Sequence, residues 1–373
     1  MMPTMRYPLL LLLLTALTLP ESLFAEGWNQ SNNPELMAAS GSFEKNPLKL
    51  DYKLSKLPTK AKIQKLPWSD SYWPSFKGGL AHRYKIDTVA TQTVPRERLL
   101  SFSEEKIALL SPAEKYDIYC GRYNYPLTKS ELQRTDEIRR TPEGSEWEGL
   151  CHGWAPAAVN FEEPKCVTLT NSDGLKIPFG SSDIKGLLTY FQGEVCSGSE
   201  CSAGARSEDV YPTIVDKSAF NDINPGAFHL ILTNLIKSGQ GFVSDRTSDR
   251  QVWNQPVFGY EYTIKSENNK PSYNNRAPAT VKEVTVEMRV DWVAEVGASD
   301  QAYSGTEKEK ESIAFSNYNY VLELDASGNI IGGRWLGNSK KEHPDFIWMK
   351  GVSKFSADAN WKPLEKIYKA SIK

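Results

Sequence analysis

The sequence predicts an α+β chain: a cysteine-bearing helix against an antiparallel sheet, a β-rich C-terminal region and an extended N-terminal arm. Three observations predict it. The Ala-rich text that follows Cys151 has helical propensity. Residues 282–296 alternate, with Val284, Val286, Met288, Val290, Trp292, Ala294 and Val296 on one face and Glu283, Thr285, Glu287, Arg289, Asp291 and Glu295 on the other. That is the pattern of a half-buried antiparallel strand. Two further runs, 318–324 and 329–336, flank Asp325-Ala-Ser-Gly328 and read as a hairpin.

The chain has 373 residues, room for about two to three domains and a sizeable core. With 24% charged and 40% hydrophobic residues, collagen-like, coiled-coil and wholly disordered classes drop out. The formal charge is −2 from 44 basic and 46 acidic residues, and RNP-type and zinc-finger spacings are absent, so no nucleic-acid partner is expected. The 10 Trp and 17 Tyr exceed what a core of this size needs and suggest aromatic surface for a polymer or protein ligand.

Arg6 precedes an apolar run, Leu9 to Leu14, extended by Ala16, Leu17 and Leu19 and closed by Pro20. With Ala25 at a plausible cleavage point, residues 1–25 read as a secretory signal. The run is too short to span a bilayer, and no cysteine near residue 25 offers a lipid anchor, so no stable membrane anchor is expected. A secreted or periplasmic chain permits disulfides. Its five cysteines are Cys120, Cys151, Cys166, Cys196 and Cys201, an odd number that leaves one thiol over. Cys196–Cys201 would close a short Gly/Ser loop and Cys120–Cys166 would be the second bridge, leaving Cys151 free.

Residues 26–66 are polar, with scattered lysines, and read as an extended, loosely packed arm. A core over 67–257 and a β-rich region over 258–373 follow. Residues 103–118 read as two helical pieces divided at Ser111-Pro112, the second with Ser111 as N-cap and Pro112 in the first turn. Residues 130–139 are a charged helix or loop. Pro156 is tolerated only in a first turn, so a helix is expected to begin near Gly153 or Trp154, with Cys151 at or just before its N-terminus. Another helix covers 182–193, with Ile184, Leu187, Leu188 and Phe191 on one face. Asn224 to Asn234 reads as a loop feeding a buried strand, Lys237 to Gly241 as a turn, and Phe242 to Asp245 as the partner strand. Residues 265–279 and 297–310 are polar loops.

A leftover thiol at a helix start is a nucleophile candidate, because the helix N-terminus and a nearby imidazolium favour the thiolate. Four histidines could be its base: His82, His152, His229 and His343. His152 is adjacent to Cys151, and adjacent side chains at a helix start point apart. His229, at the start of the expected buried strand, is the better placed. A cysteine helix followed by a histidine strand is the order of papain-like enzymes. Asp245, on the returning strand, would orient the imidazole, with Asp249 and Asn254 as alternatives. Backbone N–H groups around Cys151 would supply part of an oxyanion hole. The bland alternative is that Cys151 is a small buried hydrophobe and His229 a core histidine.

The segment Val252-Trp-Asn-Gln-Pro-Val257, followed by Gly259-Tyr260, resembles the signature of the transglutaminase elicitors, a secreted family of oomycetes with relatives in marine bacteria. The six-residue core is intact, and Phe258 stands where that family has a basic residue. The likeness extends over roughly 68–350, through Glu148-Gly-Leu-Cys-His-Gly-Trp-Ala-Pro156, Phe228-His229, Gly332-Gly-Arg-Trp335 and His343-Pro-Asp-Phe-Ile-Trp348. It implies a papain-like core with Cys151 as nucleophile, His229 as base and Asp245 as orienter, and dependence on calcium. The implied activity is cross-linking of protein glutamines to lysines through a Cys151 thioester, with protein substrates carrying Gln and Lys as partners. Trp147, Trp154 and Trp253 are candidates to shield that thioester from water. Two other readings stay open. One is a papain-like peptidase or amidase using the same triad. The other is a non-enzymatic exported binding protein.

Overall fold

The computed structural model describes residues 28, 30–39, 46–206, 222–249 and 251–373. The expected signal segment lies outside them. Its centre is an eight-stranded, all-antiparallel sheet, whose strands we number β1 (Lys60–Lys62), β2 (Glu200–Gly204), β3 (Phe242–Asp245), β4 (Asn254–Asn268), β5 (Lys282–Val293), β6 (Ile313–Leu324), β7 (Ile330–Trp335) and β8 (Phe346–Lys350). The order across the sheet is β7-β6-β5-β4-β3-β8-β2, and β1 pairs with β4 beyond the end of β3. The alternation read in the sequence is real: Val284, Val286, Met288, Val290 and Trp292 are buried on β5. The hairpin is also real. Asp325 Oδ1 accepts from the backbone N–H groups of Ser327 and Asn329, and Gly328 supplies the left-handed residue, with φ 80°.

Six helices matter to the argument: α1 (Pro112–Tyr119), α2 (Pro126–Arg134), α3 (Cys151–Asn160), α4 (Ser181–Tyr190), α5 (Pro225–Lys237) and α6 (Lys362–Ser371). Ser111 caps α1 as expected, accepting from the Glu114 N–H at 3.2 Å while Glu114 Oε2 accepts from the Ser111 N–H at 2.9 Å. At the start of α4, Asp183 Oδ2 accepts from the Gly180 N–H at 2.7 Å and from Lys115 Nζ of α1 at 2.6 Å. Both charged side chains are fully buried, so the pair ties α4 to α1. The last turn of α4 runs on into a π-helical turn, Phe191–Val195.

Several expectations need correction. Residues 225–237 form a helix, not a strand. Asn224 is its N-cap, accepting from the Gly226 N–H at 2.8 Å, and Pro225 sits in the first turn. The helix is buried from Pro225 to Ile236, so its sequence is apolar on nearly every side and carries no periodicity to separate it from a strand. Helix α3 begins at Cys151 itself and accommodates Pro156 inside it. The described part of the arm is not loosely packed. Leu50, Leu54, Leu57 and Ile63 are buried, β1 pairs with β4, and the Asp51 N–H donates to Asn234 Oδ1 of α5 at 2.9 Å. The boundary expected at 257/258 falls inside β4.

All five cysteines are unbridged, against the expected pairs. Cys196 Sγ accepts from the backbone N–H groups of Ser353 at 3.1 Å and Gly198 at 3.4 Å, whereas Cys201 Sγ lies 3.4 Å from Met37 Sδ of the arm. The two thiols of the short loop are therefore directed at different partners. Among the described residues no helix is long and apolar enough to cross a membrane.

Candidate active site

The sulfur sits where helix α3 starts against the sheet. The Leu150 N–H donates to the Tyr72 carbonyl at 2.6 Å. Gly149 comes so close that a Cβ there would lie 2.5 Å from the same oxygen. That close approach fixes the entry of the chain into α3. Cys151 is 8% exposed. Its thiol donates to the Val252 carbonyl at 3.6 Å, and its sulfur accepts from Asn254 Nδ2 at 3.6 Å. Asn254 is held in turn by Trp348, whose indole N–H donates to Asn254 Oδ1 at 2.8 Å. The carbonyl oxygen of the amide is thus occupied, and its N–H group is left pointing at the sulfur.

Asp245 is the cross-strand partner of Asn254, so the two side chains share one face of the sheet. Its Oδ1 accepts from the Trp253 N–H at 2.9 Å, and its Oδ2 is buried without a partner. Burial pushes the Asp245 carboxyl up to about 8 against the pull of the Trp253 N–H, and the charges of Asp345 and Asp249 add to the rise. Burial also pushes the Cys151 thiol up. Asn254 opposes this, and the negative Glu295 and Asp245 reinforce it. The resting sulfur is therefore a thiol, not the preformed thiolate expected from a helix start.

The Val252–Val257 segment explains itself here. Val252 receives the thiol proton, Trp253 donates to Asp245, Asn254 donates to the sulfur, and Gln255 Nε2 donates to Glu295 Oε1 at 2.9 Å. Pro256 lies opposite Val243 in the β3–β4 ladder, and Val257 is buried. Four consecutive residues thus build one side of the site through both backbone and side chain.

Cys151 opens into a cleft of about 810 Å³. Its sheet side comes from Ser202 and Gly204 of β2 and from Phe346 and Trp348 of β8, which lie opposite them in register. Trp147, Glu148 and His152 form the side nearest the helix. Of the three tryptophans expected at the site, Trp147 lines this cleft. Trp154 is fully buried within α3 and belongs to the core. Trp253 packs edge-on to Tyr72, with ring centroids 6.2 Å apart, and reaches the site through its backbone. Trp348 was missed. Its His-Pro-Asp-Phe-Ile-Trp text was visible, but nothing local in it tells that β8 lies beside β3.

His229 is not brought to Cys151. It lies on α5, fully buried, with Nδ1 2.8 Å from the Tyr320 hydroxyl and its ring edge-on to Tyr262 at 4.8 Å. Burial drives its pKa down to about 3, and it takes no part in the cleft wall. The cause is the helix. A residue expected on a strand beside the thiol is instead inside a helix that packs on β7, β6, β4 and β1. His82 pairs with Asp87 and His343 with Asp222. The cleft's histidine is His152, with Nε2 2.9 Å from Glu194 Oε1. Among the described residues, no group of three or more His, Cys, Asp or Glu side chains is arranged to hold a metal ion.

A family model described as "Transglutaminase elicitor" matches residues 141–360. Among solved structures, the chain is similar to the crystal structure of the GP42 transglutaminase from Phytophthora sojae. The TM-score is 0.67 at 21% identity, over 92% of this chain and 99% of that one. That likeness is one of fold. No curated protein matches the sequence.

Proposed function

This chain belongs to the transglutaminase elicitor family, and on that footing we propose that it is an exported protein-glutamine γ-glutamyltransferase, joining glutamine to lysine through a thioester on Cys151. The observation that carries the reading is the sulfur at the start of α3, facing an open cleft and hydrogen-bonded by Asn254 of the Val252–Val257 segment.

A glutamine carboxamide enters between Trp147 and Trp348. The Cys151 sulfur attacks its carbonyl carbon, so that a C–S bond forms as the C–N bond breaks. The Asp245 carboxyl, neutral at rest, gives its proton to the departing nitrogen, which leaves as ammonia, and takes up the thiol proton in its place. A carboxyl pushed up to about 8 suits both transfers near neutral pH. Asp245 thus takes the proton-handling role first expected of His229. In this reading, backbone N–H groups at the start of α3 stabilise the developing oxyanion. The aromatic walls limit access of water to the thioester, and a lysine amine completes the transfer. Calcium enters no step derived from these residues and stays a condition to test.

The experiment is incorporation of a fluorescent primary amine into a glutamine-rich protein, with and without calcium, for wild type and Cys151→Ser. The reading requires incorporation that disappears in Cys151→Ser while its thermal unfolding is unchanged. Release of ammonia or peptide without incorporation would replace the transferase with an amidase or peptidase. Retained incorporation in Cys151→Ser would remove Cys151 from the chemistry.

A further inference from the structure

Two proton acceptors are needed for the transfer, and the sulfur's own neighbours account for the first. The second substrate is an amine. A lysine side chain has a pKa of about 10.4, so it arrives as an ammonium ion and must lose a proton before it can attack. We propose that His152, fixed by Glu194, is the group that deprotonates the incoming amine, a role resting on the acyl-transfer reading above.

The geometry is built rather than incidental. His152 follows Cys151 on α3 and lines the same cleft. Its side chain is 43% exposed, whereas the thiol is enclosed by Val252 and Asn254. The imidazole therefore faces whatever comes in from solvent, not the sulfur's proton. Its Nε2 is engaged by Glu194 Oε1 at 2.9 Å, which leaves Nδ1 as the nitrogen to take a proton. This is the arrangement of a base held by a third group. The Glu194 carboxylate is kept ionised, its pKa lowered first by His152 and then by Arg134 and Lys350.

Glu194 gets there by an unusual backbone path. It lies in the π-helical turn Phe191–Val195 that prolongs α4. Such turns shift the register of a helix face by one residue and are frequent at functional sites. The turn meets α3 at two facing glycines. A Cβ on Gly153 would lie 2.2 Å from the Thr189 carbonyl oxygen. A Cβ on Gly193 would lie 3.0 Å from His152 Nε2 and 3.1 Å from Gly153 Cα. Only two glycines allow backbones this close, and that crossing brings the carboxylate to the imidazole.

The transfer balances as follows. His152 Nδ1 takes one proton from the ammonium. The freed amine attacks the thioester carbonyl carbon, forming the C–N bond as the C–S bond breaks. The second nitrogen-bound proton goes to the departing sulfur and restores the Cys151 thiol. The His152 imidazolium returns its proton to solvent.

The test compares two nucleophiles on the same glutaminyl peptide. A fluorescent alkylamine is protonated at neutral pH and needs a base, whereas hydroxylamine is largely unprotonated there and does not. In His152→Gln, alkylamine incorporation is expected to fall about 100-fold and hydroxamate formation by less than about tenfold. Glu194→Gln keeps the imidazole but loses its anchor, and should show the same selectivity to a smaller degree. Parallel loss of both products in these variants, or alkylamine incorporation retained in His152→Gln, would overturn the proposal. Cys151→Ser should abolish both products. A wild type yielding neither product would remove the acyl-transfer reading, and this proposal with it.

Discussion

Asp245 and His229 are both buried, and desolvation moves them in opposite directions. The Asp245 carboxyl rises from 3.8 to about 8. The folded chain then holds a proton that the unfolded chain releases. Its stabilising contribution is complete below about 3.8 and is lost as the pH climbs towards 8. Asp245→Asn removes that loss while keeping an acceptor for the Trp253 N–H. Its melting temperature should rise relative to wild type by a few degrees at pH 8, with much less gain at pH 4, although turnover is lost. Equal gains at both pH values would contradict the burial argument. His229 falls from 6.5 to about 3, so the unfolded chain binds the extra proton. The stability this contributes is present above about 6.5 and is lost as the pH falls towards 3. His229→Gln should cost about 1–3 kcal/mol, because the buried Tyr320 hydroxyl is left poorly satisfied. The folded fraction should keep kcat/KM within about threefold, since the ring is far from rate-limiting chemistry in this account. A loss of about 1,000-fold would restore His229 as the base. The sequence singled out Cys151, Asp245 and Asn254, which the fold does bring together, from a helix start and polar residues at strand ends; the odd-thiol count gave nothing, since all five cysteines are unbridged. The place of His229 was not readable, because a histidine takes its surroundings from the element that carries it, and that element was read as a strand.

That dependence is plainest for α5. Its cap, Asn224-Pro225, was readable, but Phe228 to Leu232 is apolar without a helical stripe because the helix is covered on all sides. The strand reading took burial for extension. α3 shows the reverse. The helix was legible from its alanines, yet its start was placed too late, because Pro156 was given the first-turn position that Cys151 occupies. The π-helical turn after α4 has no sequence signal, since it follows from the contact with α3. That contact carries its own prediction. Gly153→Ala places a Cβ against the Thr189 carbonyl, a backbone atom that cannot turn away. The helices must separate, at a cost of about 1–3 kcal/mol. Thermal unfolding should show it, together with a selective loss of alkylamine over hydroxylamine transfer as Glu194 leaves His152. Unfolding unchanged from wild type would mean that the crossing is looser than described.

At the scale of the whole molecule, the sheet is what joins segments far apart in the chain. Asn254 meets Cys151 because β4 begins beside the start of α3, and Trp348 meets Asn254 because β8 returns next to β3. The alternation of β5 and the β6–β7 hairpin were readable one strand at a time. The placement of β8 between β3 and β2 was not, because pairing between distant strands leaves no local pattern. The arm belongs to the same lesson. Its lysines suggested an extended, loosely packed arm, but the leucines between them reach the core, and β1 covers β4 just past Phe258.

The proposed chemistry requires Cys151 to carry an acyl group from a glutamine side chain. Intact-mass and peptide-mapping spectrometry of the protein mixed with a blocked glutaminyl peptide, quenched in acid before an amine is added, tests it most directly. A covalent adduct is expected on Cys151, equal to the peptide less ammonia, discharged by hydroxylamine and absent in Cys151→Ser. An adduct on another residue, or ammonia release with no adduct at any quench time and no amine product, would contradict it.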